Sequence, residues 1–204
     1  MLRKKSIISM VAALFLAAGF MAGCSDDDDN NGGNNITGGG EKNGKTVAQL
    51  IKDDDDLTIF SEAVERAGLM GRLQNKDQTT TVFAPTNEAF ALFANRISEE
   101  EFEELMNDSA KLRDLLLYHM AYGRLELNNI ENRNSIETLL NGKQITVDKV
   151  AAAPEEDDDD EAPAEVVRLN YSPARIVESD INAENGVIQK INRVLEIPEN
   201  GNGE

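Results

Sequence analysis

A chain of 204 residues has room for one ordinary core plus appendages, because single domains take roughly 100 to 200 residues, and this excludes a large multidomain enzyme. Its 20 Lys and Arg against 38 Asp and Glu give a net charge of -18, a field that repels phosphate backbones and excludes nucleic acid as an expected partner. Apolar residues make up 40% and aromatics 5%, with no Trp, so part of the chain is expected to lie outside any packed core.

In chain order, Met1-Leu2-Arg3-Lys4-Lys5 is a positive opening, followed by an apolar run at residues 7–21 and the small pair Ala22-Gly23. That order reads as a secretory signal rather than a spanning helix, which needs about 20 apolar residues and different flanks. Cys24 is the single cysteine, and Met21-Ala22-Gly23-Cys24 resembles a bacterial lipobox. The resemblance implies a signal peptide over residues 1–23, lipidation of Cys24 and a membrane partner engaged through that lipid. Ser25 followed by Asp26-Asp27-Asp28-Asp29 resembles the signal that sends some Gram-negative lipoproteins to the outer face of the outer membrane, with a plain solvated tether as the alternative. The Asn- and Gly-rich stretch that follows cannot bury enough apolar area to offset its chain entropy. Residues 24–45 are therefore read as a flexible acidic tether, spanning about 25 Å as a coil.

Folded sequence is expected over residues 46–198. Val47, Leu50 and Ile51 recur at helical spacing, and Leu57, Phe60, Ala63, Val64 and Ala67 form a second stripe. Between them, Asp53-Asp54-Asp55-Asp56 would lie near a helix N-terminus, where the dipole favours carboxylates, and Gly68 and Gly71 would punctuate the far end. Thr79-Thr80-Thr81-Val82-Phe83-Ala84 reads as a strand closed by Pro85. Thr86 is a predicted N-cap, Ser98 with Glu101 a predicted capping box, and Asp108 or Ser109 the cap of a helix through Leu112, Leu115, Leu116 and Tyr118. After Gly123 the pattern turns to short β-rich segments near residues 136–140, 145–147, 166–169, 174–177 and 187–195. An acidic insertion at residues 151–165 reads as a loop between two strands, and residues 199–204 as a disordered tail. Early helices and late strands predict an α+β class.

Three stretches together resemble the fasciclin-like domain, also called the FAS1 or beta-Ig-H3 domain. They are Thr81-Val82-Phe83-Ala84-Pro85-Thr86-Asn87-Glu88-Ala89-Phe90, then Leu116-Leu117-Tyr118-His119-Met120-Ala121-Tyr122-Gly123-Arg124-Leu125, then residues 176–198 from Ile176-Val177-Glu178-Ser179-Asp180-Ile181 through Val194-Leu195-Glu196-Ile197-Pro198. Two positions depart from the family pattern: Gln189 stands where a His is common, and Asn192 where an Asp is common. The resemblance implies a wedge of two β-sheets with helices packed around it, and a role in adhesion at cell surfaces or in matrix.

The resemblance also offers Tyr118, His119, Asp180 and Ile181 as candidate partner contacts, because animal members have been linked to receptor contact through the corresponding segments. A second reading stands beside it. His119 lies among Leu116, Leu117 and Met120 and fits a packed, hydrogen-bonded core histidine, and an Asp before a turn can satisfy backbone donors. Asn87 reads as fixing the strand-to-helix corner, and Asn185-Gly186 as a tight turn whose residues tolerate positive φ. Asp108-Ser109-Ala110 resembles a short bacterial O-glycosylation acceptor, making Ser109 a candidate, and it equally reads as a helix start.

With one His, and its only Cys expected to carry the lipid, the sequence supplies no Cys-His pair, His-based zinc cluster or phosphate loop, and neither acidic run has the spacing of an EF-hand loop. No enzymatic activity, metal or cofactor is expected. The reading is a lipoprotein on the outside of a Gram-negative outer membrane, binding an unidentified protein or glycan. A periplasm-facing envelope assembly protein and a small-molecule carrier with an apolar cavity between sheets and helices are the alternatives.

Overall fold

A computed structural model describes residues 44–151, 165–170 and 173–198. The leader, Cys24, the tether through residue 43, residues 152–164 of the acidic insertion and residues 199–204 lie outside the described residues.

Helix α1, Val47–Asp53, starts with a full capping box: the Thr46 hydroxyl accepts from the Gln49 N–H, and the Gln49 side chain accepts from the Thr46 N–H at 2.8 Å. The acidic run then behaves as expected. Asp54 Oδ1 accepts from the Asp56 N–H at 2.9 Å to cap a 3-10 turn at Asp55–Leu57, which leads into α2, Thr58–Arg66. The end of α2 is a Schellman motif in which Gly68, at φ 67°, donates to Glu65 C=O and Leu69 N–H donates to Val64 C=O. Gly71 does not punctuate that end. It lies inside a further short helix, α3, Met70–Gln74.

Strand β1, Thr80–Pro85, is followed by α4, Asn87–Arg96, with Thr86 Oγ1 accepting from the Ala89 N–H at 3.2 Å. Helix α5 is Glu99–Asn107 and α6 is Ser109–Tyr118. The box expected at Ser98 is half made. Its hydroxyl accepts from the Glu101 N–H, but donates to the Glu101 carboxylate, so that carboxylate meets the hydroxyl instead of the Ser98 N–H. Asp108 is the cap of α6, accepting from the N–H groups of Ala110 and Lys111, and the Lys111 bond leads the causes that hold its carboxyl below the usual range. Next come β2 (Met120–Tyr122), α7 (Leu127–Glu131), β3 (Ser135–Glu137), β4 (Gln144–Ala151), β5 (Glu165–Leu169), β6 (Ala174–Ala183) and β7 (Gly186–Ile191).

The strands form one mixed sheet in the order β2-β1-β7-β6-β5-β4-β3, in which only the β1–β7 pair is parallel. Central strands β1 and β7 are buried at every position, which suits the β-branched and apolar run of β1 and forces Gln189 and Lys190 of β7 to find partners inside the fold. Register irregularities between Ile176 and Ile181 interrupt β6, and such bulges bend a strand. Its start pairs with β5 and its length with β7, so β6 belongs to both limbs of the wedge. The limbs meet at their far edges, where Ala121 bridges Thr138 and the Leu139 N–H donates to Met120 C=O at 2.7 Å.

Two cores follow from this bend. One lies between helices and sheet and is built on Ile51, Phe60, Leu73, Phe90, Leu112 and Ile188. The other lies within the bent sheet, around Phe83, Tyr118, Ile130, Ile145, Leu169 and Ile191. Both read as close-packed apolar interiors of the kind that dominate folding free energy. Among the described residues, no helix is long and apolar enough to cross a membrane.

Lys190 is the one charged side chain of β7, and its side chain is only 7% exposed. Its Nζ lies 2.7 Å from Asp54, 2.9 Å from Glu178 and 3.6 Å from Asp56. Burial works against its charge, but the hydrogen bonds and fields of Asp54 and Glu178 outweigh it and hold the ammonium pKa well above its ordinary value. The acidic run before α2 is thereby tied to the middle of the sheet.

Candidate functional site

Helix α6 hands the Tyr-His pair into the interior. Tyr118 is fully buried in the sheet core, where its hydroxyl donates to Gln144 C=O at 3.0 Å and accepts from Asn170 Nδ2 at 2.8 Å. Desolvation pushes its phenol pKa up, against the opposing bond from Asn170. His119 is 1% exposed, and its Nε2 lies 2.9 Å from the Leu195 N–H. A backbone N–H can only donate, so Nε2 accepts and the ring proton sits on Nδ1, which donates to Leu115 C=O at 2.8 Å. The His119 carbonyl accepts in turn from the Phe83 N–H on β1. The imidazole thus pins the segment after β7 to the end of α6, and both its nitrogens are used by the backbone.

As partner contacts, Tyr118 and His119 are corrected by this burial: neither side chain offers surface to a ligand. Desolvation also lowers the His119 pKa to about 4, outweighing the Leu115 bond. Because the folded imidazole resists the proton that the unfolded one takes up below about 6.5, its contribution to stability is complete above that pH. It is lost as pH falls from about 6.5 to 4, by about 3 kcal/mol in all. The ring proton signals of this single histidine are expected to stay in the neutral form down to pH 5, and a midpoint near 6.5 in the folded chain would contradict its burial.

Asp180 and Ile181 sit on the irregular stretch of β6. Asp180 is held at φ 61°, in the left-handed region, and its Oδ1 accepts from the Leu127 N–H and from Gln189 Nε2, each at 2.8 Å. Helix α7 has no cap of its own at Glu126, so the Asp180 carboxylate supplies one from across the fold. Gln189 completes the joint, accepting from the Asp180 N–H and donating to Leu125 C=O. It makes a full set of polar contacts at the position where the family often has His. Asn192 likewise accepts from the Arg175 N–H at 2.9 Å. Ile181 is half-buried against the helical core, and the carboxylate of Asp180 is already engaged inside the chain. No hydrogen bond or ring contact among the described residues joins this pair to Tyr118 or His119.

Asn87 does more than fix its own corner. Its Oδ1 accepts from the Ile59 N–H at 3.0 Å and its Nδ2 donates to Asp55 C=O at 2.8 Å, so it caps α2 from the start of α4. Asn185 and Gly186 close the β6–β7 hairpin, but neither has positive φ, which corrects the stated reason for the turn. Asn185 is chosen for its bonds: Oδ1 accepts from the Val47 N–H at 2.8 Å, and Nδ2 donates to the carbonyls of Leu73 and Asn75, both at 2.9 Å. Gly186 is chosen for space, since a Cβ there would stand 2.0 Å from Thr80 O.

What the Tyr-His segment does present is Tyr122. It is 69% exposed on β2, with the Arg72 guanidinium 5.8 Å from its ring centroid. Met120 and Ala121 are both buried, one in each core, and only the last residue of β2, Tyr122, clears the packed interior. Sequence reasoning passed over Tyr122, because a three-residue strand with two buried residues offers no period from which its exposure could be read. Among the described residues, no group of three or more His, Cys, Asp or Glu is placed to hold a metal ion.

The model of the fasciclin domain matches residues 55–198. The chain belongs to the fasciclin domain family. Its fasciclin domain is 31% identical over 155 residues to transforming growth factor-beta-induced protein ig-h3 of Sus scrofa, a match that covers 76% of this chain and 20% of that protein. Protein sll1483 of Synechocystis is 26% identical over 150 residues, covering 74% of this chain and 72% of that protein. The chain therefore spans only about a fifth of ig-h3. Among solved structures, the FAS1 domain pair from the insect cell adhesion molecule fasciclin I superposes with a TM-score of 0.61 at 15% identity, covering 74% of this chain and 51% of that one. That likeness establishes the fasciclin fold.

Proposed function

We propose that this chain is a lipoprotein that displays one fasciclin domain on the outside of the outer membrane, where it serves as an adhesion or binding module. The anchor is Cys24, and the tether over residues 24–45 lifts the domain off the bilayer. The observation that carries the binding role is the exposure of Tyr122, braced by Arg72, within the segment that otherwise turns inward at Tyr118 and His119. An exposed ring with a cation beside it suits a protein loop or the face of a sugar, and it needs no cofactor. The curated and solved relatives support the reading at the level of the family, the insect one being named a cell adhesion molecule.

Proteinase K applied to intact cells is expected to remove the domain while a periplasmic control survives, and Cys24→Ser is expected to release the chain from the membrane fraction. Protection until the outer membrane is opened would favour an assembly role facing the periplasm, and unchanged fractionation of the Ser variant would remove the anchor from the proposal.

Ser109 belongs to the proposal as an acceptor for an O-glycan. It is exposed at the first position of α6, immediately after the capping Asp108. Chain isolated from its native membrane is expected to carry a glycan mass beyond that of the lipid, which Ser109→Ala abolishes; a native mass equal to that of the lipidated chain alone would remove this element.

A further inference from the structure

A cavity of about 200 Å³ lies between α4 and the segment after β7, at the border of the helical core, to which its lining residue Val194 belongs. One wall is a single face of α4, where Leu92, Phe93 and Arg96 follow helical spacing, and the other carries Arg193, Val194 and Glu196. Its walls combine apolar surface with two guanidinium groups, an unusual concentration of positive charge in a chain of net charge -18.

The two arginines are not equivalent. Arg96 is neutralised, with Nη2 2.6 Å from Glu196 and its guanidinium 5.4 Å from the Phe93 centroid. Arg193 makes no hydrogen bond or ion pair among the described residues, and its Nε is buried without an acceptor. Two other arginines also have an unpartnered Nε, but Arg72 lies against the Tyr122 ring and Arg168 holds Asp148 at 2.7 Å. Arg193 has neither form of compensation. Arg193 is half-buried: its Nε is closed off, and the rest of its permanently charged fork lines the cavity with no carboxylate or carbonyl of the described residues to answer it, so it is free to take an acceptor from outside.

We propose that this cavity binds the carboxylate end of a short aliphatic chain. The carboxylate lies on the Arg193 guanidinium, which suits it by charge and by its forked geometry, and the aliphatic part lies against Leu92, Phe93 and Val194. Glu196 stays with Arg96, so its charge is answered before the ligand arrives. The volume fits an end group rather than a whole polymer, which leaves two sources of one chemistry: a free short-chain carboxylic acid, or the C-terminal aliphatic residue of a peptide.

The test is an NMR titration of the full chain with hexanoate, with hexanamide as the uncharged isostere, and with acetyl-glycyl-leucine bearing either a free or an amidated C-terminus. Saturable shifts at the amides of Leu92, Phe93, Arg193 and Val194 are expected from the two carboxylates, with binding about tenfold weaker for their amides. Tighter binding of hexanoate identifies a free acid as the source, and tighter binding of the peptide identifies a chain end. Arg193→Gln is expected to weaken both carboxylates to the level of the amides. Leu92→Glu, at a position 36% exposed and so tolerant of a polar group, is expected to block the cavity with the fold intact. Absence of saturable shifts, equal binding of acid and amide, or carboxylate binding unchanged in these variants would overturn the proposal.

Discussion

Gly186→Ala is expected to be the most damaging single-methyl change in the domain, lowering stability by about 4 kcal/mol or more. The added Cβ would stand 2.0 Å from Thr80 O, 2.9 Å from Val47 Cγ2 and 3.0 Å from Thr80 C. Two of these atoms are backbone, so no side-chain rotation relieves the clash. Thr80 and Gly186 are partners in the parallel β1–β7 ladder, and the Thr80 N–H donates to Asn185 C=O, so the conflict falls at the start of the two central strands. Against a total of roughly 5 to 15 kcal/mol for a domain, that loss should lower Tm by roughly 10 °C or push the chain into an unfolded pool. Thermal unfolding followed by circular dichroism checks it. Gly71→Ala is the control, because its Cβ meets nothing within 4 Å and a helical Gly is slightly unfavourable, so a small gain is expected there. Equal melting of the two variants would show that the close approach at Gly186 does not limit the fold.

Asn185→Ala is expected to cost about 3 kcal/mol, since it leaves the Val47 N–H and the carbonyls of Leu73 and Asn75 without their shared partner at a site only 2% exposed. Asn185→Asp separates the components. It keeps an acceptor for the Val47 N–H but loses both donors, and sets a buried carboxylate against two carbonyl oxygens. Burial and those oxygens raise the folded pKa of the new acid above its unfolded value, so its protonated form is the one the fold favours. The Asp variant should therefore recover stability relative to wild type as pH falls through that raised pKa, whereas the Ala variant should run parallel to wild type. Urea unfolding at several pH values distinguishes them, and a parallel course for the Asp variant would mean that the site is open to water.

Much of the local structure was legible because it depends on neighbours in sequence. The stripes at Val47 to Ile51 and Leu57 to Ala67, the caps at Thr86 and Asp108, the strand at Thr80 and the dipole role of the acidic run all appear where spacing and side-chain chemistry put them. The failures fall where an element is too short to show a period or where the cause is a residue far away in the chain. Strand β2 is three residues long and α7 five, too short for a period to be seen, and the start of α7 is capped by a residue 53 positions away. Glycine and asparagine at the last hairpin suggested positive φ, because that is their usual reason for occupying a turn. Here the reasons are the close approach of Gly186 to Thr80 on β1 and the bonds of Asn185 to Val47, Leu73 and Asn75, the first of them across 138 residues.

The candidate contact residues divide along the same line. Tyr118 and His119 look alike and adjacent in sequence to a surface motif or a core pair, because the apolar residues around them are compatible with both. The turn from α6 into β2 decides the matter, burying both rings and leaving Tyr122 outside. Lys190 and Arg193, three residues apart, were equally silent as letters. In the fold, one is surrounded by Asp54, Glu178 and Asp56, and the other lines a cavity with its Nε unanswered.

By itself the sequence determined the α+β class, the family, the order of most elements and where their ends are capped, because periodicity, capping and turn chemistry act over a few residues. Only the tertiary structure decided which polar side chains are spent inside the fold and which remain for a partner. That depends on hydrogen bonds and close approaches between segments far apart in the chain, whose free energy is set by burial and geometry rather than by the identity of the neighbouring residues.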